Sequence, residues 1–341
     1  MAGGTAMLRG LARWLPPGAL RSFGRPVALH FHGVERRIDD PRIQRNHHTL
    51  DAFYAIAQAL KRDFQVLPLT ALAEAIKQPQ RHARTVFLMS DDGYRNTLTV
   101  AADVLDGLGL PWTLFVSTHH IDTGELNPFT AARLFFTFAP EGRHLIPHLG
   151  GAVELGSDAT RERACVRGLK RLRMLDIAHA RQAIAAMRAA MPSALLASLT
   201  ERFASERFLN WPQVAELAKR GVEIGAHAHW HWPMHKRRSA TEIADEARIP
   251  RRRIEHQIGS CRYFAYPFGN VGDVTREAWH AVRDAGYDNA FTTLAGTIDG
   301  STNPWLLPRY ELRPRETHLR ALAPMLRAGN LRLARWQRRM A

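Results

Sequence analysis

Two carboxylates stand side by side in SDDGYRN, Asp91 and Asp92, directly after the apolar stretch Thr85 to Met89. Neighbouring acids repel each other and are costly to take out of water, so such a pair at the end of a core strand calls for a cation, or for a proton shared with substrate. A solvated Asp-Gly turn is the plainer alternative. A second concentration of donor atoms lies far along the chain in AHAHWHWPMH, which carries His227, His229, His231 and His235. His227 and His231 are four apart, a spacing that puts both rings on one side of either a strand or a helix, with His229 and His235 as competing donors. Asp92 with two of these histidines makes a His-His-Asp facial set that leaves positions open for water and substrate. Zinc suits that set, as do cobalt, nickel, manganese and iron, and the residue types do not choose among them. Trp230 and Trp232 beside the cluster also offer ring faces on which a sugar could stack without metal.

These residues need elements that bring them together. PVALHFHGV at 26–34 has strand character and carries His30 and His32 on one face. Helical periodicity follows at 50–61, a short strand at 64–67, a helix at 71–77, and then the strand that delivers the two aspartates. A helix at 96–108 closed by Gly109 and a strand at 112–117 complete a β-α-β unit. The alternation stops between about 126 and 209, where 159–191 is rich in alanine, arginine and leucine and predicts two or more helices without intervening strands. It resumes with a helix at 211–220, a strand at 222–226 ahead of the histidines, a helix at 240–257, a strand at 263–266, a helix at 275–285 and a strand at 289–293. Arg309 follows in LLPR. Strands alternating with helices predict a parallel sheet or barrel, in which polar strand ends converge on one face.

Composition narrows the partners. Of 341 residues, 45% are hydrophobic and 23% charged, an ordinary globular composition in a chain long enough for one large α/β domain or two smaller ones. The organisation expected is a basic leader at 1–25, a barrel at 26–312 with a helical insertion at about 126–209, and a basic tail at 313–341. Two cysteines, Cys165 and Cys261, make no disulfide framework and no Cys-x-x-Cys motif. The net charge of +15 is concentrated at both ends. RAGNLRLARWQRRM, with Leu331, Leu333 and Trp336 among its arginines, reads as an interfacial helix for anionic lipid or as a solvated basic face. No zinc-finger, RNP-like or helix-turn-helix signature accompanies the charge, so nucleic acid is not an expected partner. Arg9, Arg13, Pro16 and Pro17 interrupt any signal-peptide core, which gives the expectation of a cytoplasmic protein, peripheral at the inner face of the membrane.

Together the motifs resemble those of the polysaccharide deacetylase family, the NodB-like carbohydrate esterases of family 4. SDDGYRN is similar to that family's T-F-D-D-G motif, GAHAHWH to its G-S-H-T-x-x-H motif and FAYPFG at 264–269 to its third motif. FTTLAG and the LLPR that follows resemble the end of the branch carrying F-A-Y-P-x-G. The resemblance implies a distorted (β/α)7 barrel and a metal-dependent hydrolase that removes the N-acetyl group from a sugar of a polysaccharide or glycan precursor. It implies Asp91 as catalytic base, Asp92, His227 and His231 as ligands of a divalent metal, and a water on that metal as nucleophile. The backbone N–H of Gly93 or Tyr94 would support the developing oxyanion.

Some positions depart from the family pattern. Ala228 replaces the usual serine or threonine, Pro233 comes one residue late, Ala265 stands in place of an arginine, and no C-terminal L-x-H motif supplies the acid histidine. Permuted members of the branch use a histidine on the first strand, in Y-H-x-V, and HFHGV matches with His32 as candidate general acid. Arg309 then orients or charge-balances Asp91. Tyr94, Tyr266, Pro267, Phe268 and Trp230 are expected to shape the substrate pocket. Hydrolysis of a non-sugar amide or ureide, or a catalytically silent glycan-binding role, are the competing readings.

Overall fold

The computed structural model describes residues 24–314 and 322–340; the leader at 1–23 lies outside the described residues. One sheet organises the molecule. Its eight strands are β1 (Val27–Phe31), β2 (Gln65–Val66), β3 (Thr85–Ser90), β4 (Thr113–Val116), β5 (Glu223–Ala226), β6 (Tyr263–Ala265), β7 (Asn289–Phe291) and β8 (Tyr310–Glu311). All pairings within it are parallel, in the order β7-β6-β5-β4-β3-β1-β8, with β2 alongside β3. VALHF and TVFLMS are buried at every position, as central parallel strands covered on both faces must be. The segment after β7 bends the sheet round. Leu307 bridges to Phe291, and Tyr310 then pairs with Leu29, so one stretch of chain links the last strand to the first. The result is a distorted (β/α) barrel.

Helices pack outside it: α1 (Leu50–Asp63), α2 (Leu72–Lys77), α3 (Ala102–Leu108) and α4 (Thr118–Thr123) in the first half. The run into α3 begins with a π-turn at Thr97–Ala101, and Gly109 ends it with φ 65°, the left-handed conformation that glycine adopts at least cost. The insertion contains α5 (Pro128–Phe138), α6 (Asp158–Leu172), α7 (Ile177–Ala189) and α8 (Ser193–Arg202). It also contains an antiparallel hairpin, Gly142–Leu145 with Ala152–Leu155, that periodicity did not reveal because each arm is only four residues long. A separate core built on Phe129, Phe135, Phe136, Leu172, Met187 and Leu199 holds the insertion together, and Trp232 from the histidine segment is buried in it. The second half adds α9 (Trp211–Lys219), α10 (Ala240–Ile258) and α11 (Arg276–Asp284).

The final helix, α12 (Leu322–Met340), corrects one expectation. Leu333, Trp336 and Met340 are buried in the main core, Gln337 donates to the Leu306 carbonyl at 3.0 Å, and Trp279 Nε1 donates to the Met340 carbonyl at 3.3 Å. Leu333 and Trp336, expected to face lipid, are therefore turned into the barrel; the side chain of Leu331 lies outside the described residues. What remains outside is its arginine face: Arg332, Arg335, Arg338 and Arg339 are exposed. Among the described residues no single helix is long and apolar enough to cross a membrane.

Candidate active site

Side chains alternate along a strand, so residues two apart share a face. Ala28, Phe87, Met89, Phe115, Tyr263, Ala265, Phe291 and Leu307 form one buried cluster on the inner side of the barrel. Continuing that parity past the strand ends gives His30 and His32 after Ala28, Asp91 after Met89, His227 after Gly225 and Arg309 after Leu307. The polar residues are thus the top layer of the same inward-facing stack; His30, His32, Asp91 and His227 line a cleft of about 570 Å³, and the fully buried Arg309 is joined to it through Asp91.

Asp91 is 2% exposed and Arg309 0%. Their side chains pair in a two-pronged contact, Nη1 to Oδ1 at 2.7 Å and Nη2 to Oδ2 at 2.8 Å, while Arg309 Nε donates to the Thr292 carbonyl at 3.0 Å. Burial by itself would raise the Asp91 pKa, but the Arg309 guanidinium, with His227 and His30, outweighs it and holds the carboxyl well below the usual carboxylate range. Asp91 is ionised and fixed in direction.

Asp92 Oδ1 lies 3.3 Å from His227 Nε2 and 2.9 Å from His231 Nε2. These three groups are buried, and their donor atoms lie within 4.8 Å of one another. The two histidines do not converge through strand or helix periodicity. The chain leaves β5 at Ala226, and Ala228 and His231 both take left-handed φ values, 62° and 58°, which fold the segment back on itself. Asp92 (φ 76°) and Phe268 (φ 61°) are left-handed as well, so three of the five described non-glycine residues with positive φ, Asp92, His231 and Phe268, line this cleft. Strain of that kind costs roughly 1–3 kcal/mol per residue and persists where surrounding contacts impose it. Here they do: Thr118 N–H donates to the Ala228 carbonyl, His119 N–H to the His229 carbonyl, and Glu246 accepts from the N–H groups of His229 and Trp230. Burial pushes the Glu246 carboxyl up to about 8. His229 and His235, which the sequence left open as donors, do not converge on Asp92: His229 Nδ1 bonds with Thr118, and His235 Nε2 donates to the Arg173 carbonyl.

The Asp92, His227 and His231 set fits a divalent cation. Asp92 Oδ1 is buried with no conventional hydrogen-bond partner, and two imidazoles face it. His227 Nδ1 donates to the Ala265 carbonyl at 2.7 Å, which leaves the Nε2 lone pair free for an ion. At His231 the neighbour is the Asn127 amide, 3.1 Å from Nδ1, whose Oδ1 is already accepting from Phe129 N–H as the cap of α5. An ion on His231 Nε2 places a proton on Nδ1, so that amide must turn.

The remaining expected residues divide. His32, partly exposed, and His30, buried with Nδ1 unbonded, both line the cleft, and their imidazoles group with Asp91. Tyr94 and Phe268 line it too. Tyr266 does not reach it. Its ring is fully buried in the main core and its hydroxyl donates to the Trp305 carbonyl, because residue 266 has the opposite parity to Ala265. Pro267 is buried outside the cleft lining. Trp230 borders a second cavity on the far side of the histidine segment, under Arg181. Gly93 N–H is spent on the Asp91 carbonyl at 3.0 Å, which leaves Tyr94, of the two expected donors, as the one not used within this turn. Sequence reasoning gave no role to Asn127, to the buried pair His47 and Glu206 at 3.0 Å, or to Arg45 and Arg133, all lining the cleft. Only Asn127 left a readable signal, as an Asn-Pro helix start.

The family model described as polysaccharide deacetylase matches residues 173–290, a span that takes in the histidine segment and FAYPFG but not the aspartate pair. The Streptococcus pyogenes deacetylase PplD, solved in complex with acetate, superposes with a TM-score of 0.57 at 14% identity, over 89% of this chain and 98% of that one. The BpsB deacetylase domain from Bordetella bronchiseptica gives 0.52 at 14% identity, over 85% and 96%. IcaB from Ammonifex degensii gives 0.52 at 16% identity, over 88% and 97%. The chain carries the fold of these polysaccharide deacetylases. No curated protein matches the sequence.

Proposed function

We propose that the protein is a metal-dependent hydrolase that removes the N-acetyl group from a sugar of a polysaccharide or glycan precursor. The observation that carries this reading is the placement of the Arg309-held Asp91 carboxylate 3.9 Å from His227 Nε2, in the same cleft as the Asp92 set. A dication held by Asp92, His227 and His231, with zinc first among the candidates, would polarise the acetamide carbonyl and acidify a water. Asp91, kept ionised by its pairing with Arg309, would serve as the base toward a water in the cleft, and its low basicity suits a water that such an ion would acidify. Tyr94 N–H supports the oxyanion as the carbonyl carbon becomes tetrahedral. His32, on the open side of the cleft, gives a proton to the departing amine, and acetate and the free amino sugar leave. The exposed arginines of α12 support placement at an anionic membrane surface on the cytoplasmic side, by charge rather than by insertion.

The test is acetate release from a panel of N-acetylated sugars set against cyclic and linear amides. Asp91→Asn is expected to lower kcat by on the order of 10²–10⁴-fold with bound metal retained, and chelation to abolish turnover. Release of acetate by the Asn variant at the wild-type rate, or turnover only of the non-sugar amides, would overturn the proposal.

A further inference from the structure

The cleft is not electrically balanced. Its carboxylates are engaged: Asp91 by Arg309, Asp92 by the two histidines, Glu206 by His47 at 3.0 Å, and Glu311 by Arg313 at 3.5 Å. Its cations are engaged less fully. Arg45, Arg133, Lys170 and Arg173 all line the wall contributed by the insertion and the chain before α1, and among the described residues Arg173 alone of these has an ion-pair partner, Asp273. Arg133, on the first turns of α5, is half-buried, and one weak backbone contact at 3.5 Å to the Phe129 carbonyl is the hydrogen bond its guanidinium makes among the described residues. Arg45 acts against the Arg133 charge and Glu206 in favour of it, and both line the same cleft. Lys170 comes from the last turn of α6, one turn from Val166 and three residues before Arg173, and all three line the cleft.

Half-burying Arg133 beside Arg45 costs free energy that Glu206, already engaged by His47, offsets only in part, while Arg45 and Lys170 stand exposed at the cleft. A guanidinium pair with an ammonium nearby matches a phosphoryl group, which offers three acceptor oxygens and nearly two negative charges. We propose that the substrate is phosphorylated: an N-acetylated sugar bearing a phosphate or phosphodiester that Arg45 and Arg133 clamp, with Lys170 closing on it, while the acetamide lies at Asp91. This rests on the deacetylase reading for the reaction but not for the anion site. Arg45 and Arg133 are binding residues here, and they set specificity by rewarding charge on the substrate.

Binding and turnover separate the two claims. Calorimetry of the metal-loaded protein with inorganic phosphate at low salt is expected to give a dissociation constant on the order of tenfold weaker in Arg45→Met and Lys170→Met, and weaker again in Arg45→Met/Arg133→Met. Arg237→Met, an exposed cation outside the cleft, serves as the control and is expected to match wild type. In acetate release, phosphorylated N-acetylglucosamine is expected to show a lower KM than its neutral parent, with the difference erased in Arg45→Met. Equal phosphate binding in wild type, Arg45→Met and Lys170→Met, or equal kcat/KM for charged and neutral sugars, would overturn the proposal. Arginine-dependent phosphate binding without acetate release from any sugar would leave the anion site standing and remove the deacetylase reading.

Discussion

Asp91 and Arg309 show how far a single buried pair can govern a site. The two-pronged contact fixes the carboxylate's direction and leaves it ionised where burial alone would neutralise it. Removing one partner strands the other. Arg309→Met is expected to cost roughly 3–5 kcal/mol of stability, because it leaves an uncompensated carboxylate in the barrel. Asp91→Asn/Arg309→Met is expected to recover part of that loss, since no buried charge remains. Thermal or denaturant unfolding of the three variants checks the pattern, and a double variant less stable than Arg309→Met would contradict it. Arg309→Lys keeps the charge and loses the fork, so it should remain folded with depressed kcat.

At the scale of elements, the insertion is a wall of the cleft as well as an appendage. Helix α5 begins at Asn127, which touches His231, and carries Arg133; α6 carries Lys170 and packs directly against α5. That packing depends on Gly168. A Cβ there would sit 2.1 Å from Phe136 Cζ, so the two helices approach over a position where a side chain cannot fit. Glycine inside a helix normally costs about 0.5–1 kcal/mol relative to alanine, so Gly168→Ala would stabilise an isolated α6. In the folded protein the clash is expected to dominate, with a net loss of roughly 1–3 kcal/mol and reduced acetate release as α5 shifts. Chemical denaturation beside activity measures both, and a stabilised, fully active variant would show that the close contact does not matter.

For the molecule as a whole, the C-terminal basic segment serves two ends. Its apolar side completes the barrel and its arginine side faces solvent. Removing residues 313–341 is expected to destabilise the fold, because Leu333, Trp336 and Met340 leave the main core. Replacing Arg332, Arg335, Arg338 and Arg339 by glutamine is expected to leave the unfolding midpoint nearly unchanged and to reduce co-sedimentation with anionic liposomes, most clearly at low salt. Retention on liposomes equal to wild type would place any membrane contact elsewhere.

The amino-acid sequence determined the alternation of strands and helices, the burial of TVFLMS and VALHF, and the presence of chemistry-bearing residues at strand ends, because period-two and period-3.6 patterns are local and survive without tertiary information. It could not say which histidines share an ion. His227 and His231 face Asp92 through left-handed turns at Ala228 and His231, and the contacts that impose those turns come from α4 and Glu246, far away in sequence. The same holds for Tyr266, turned into the core by strand parity, and for Leu333 and Trp336, whose exposed-looking stripe meets the barrel. Nor could it show that Arg45, Arg133 and Lys170, scattered over a long span of chain, end on one wall of one cleft. Which side chains meet, and which charges go unpaired, is decided only when the barrel closes and the insertion packs against it.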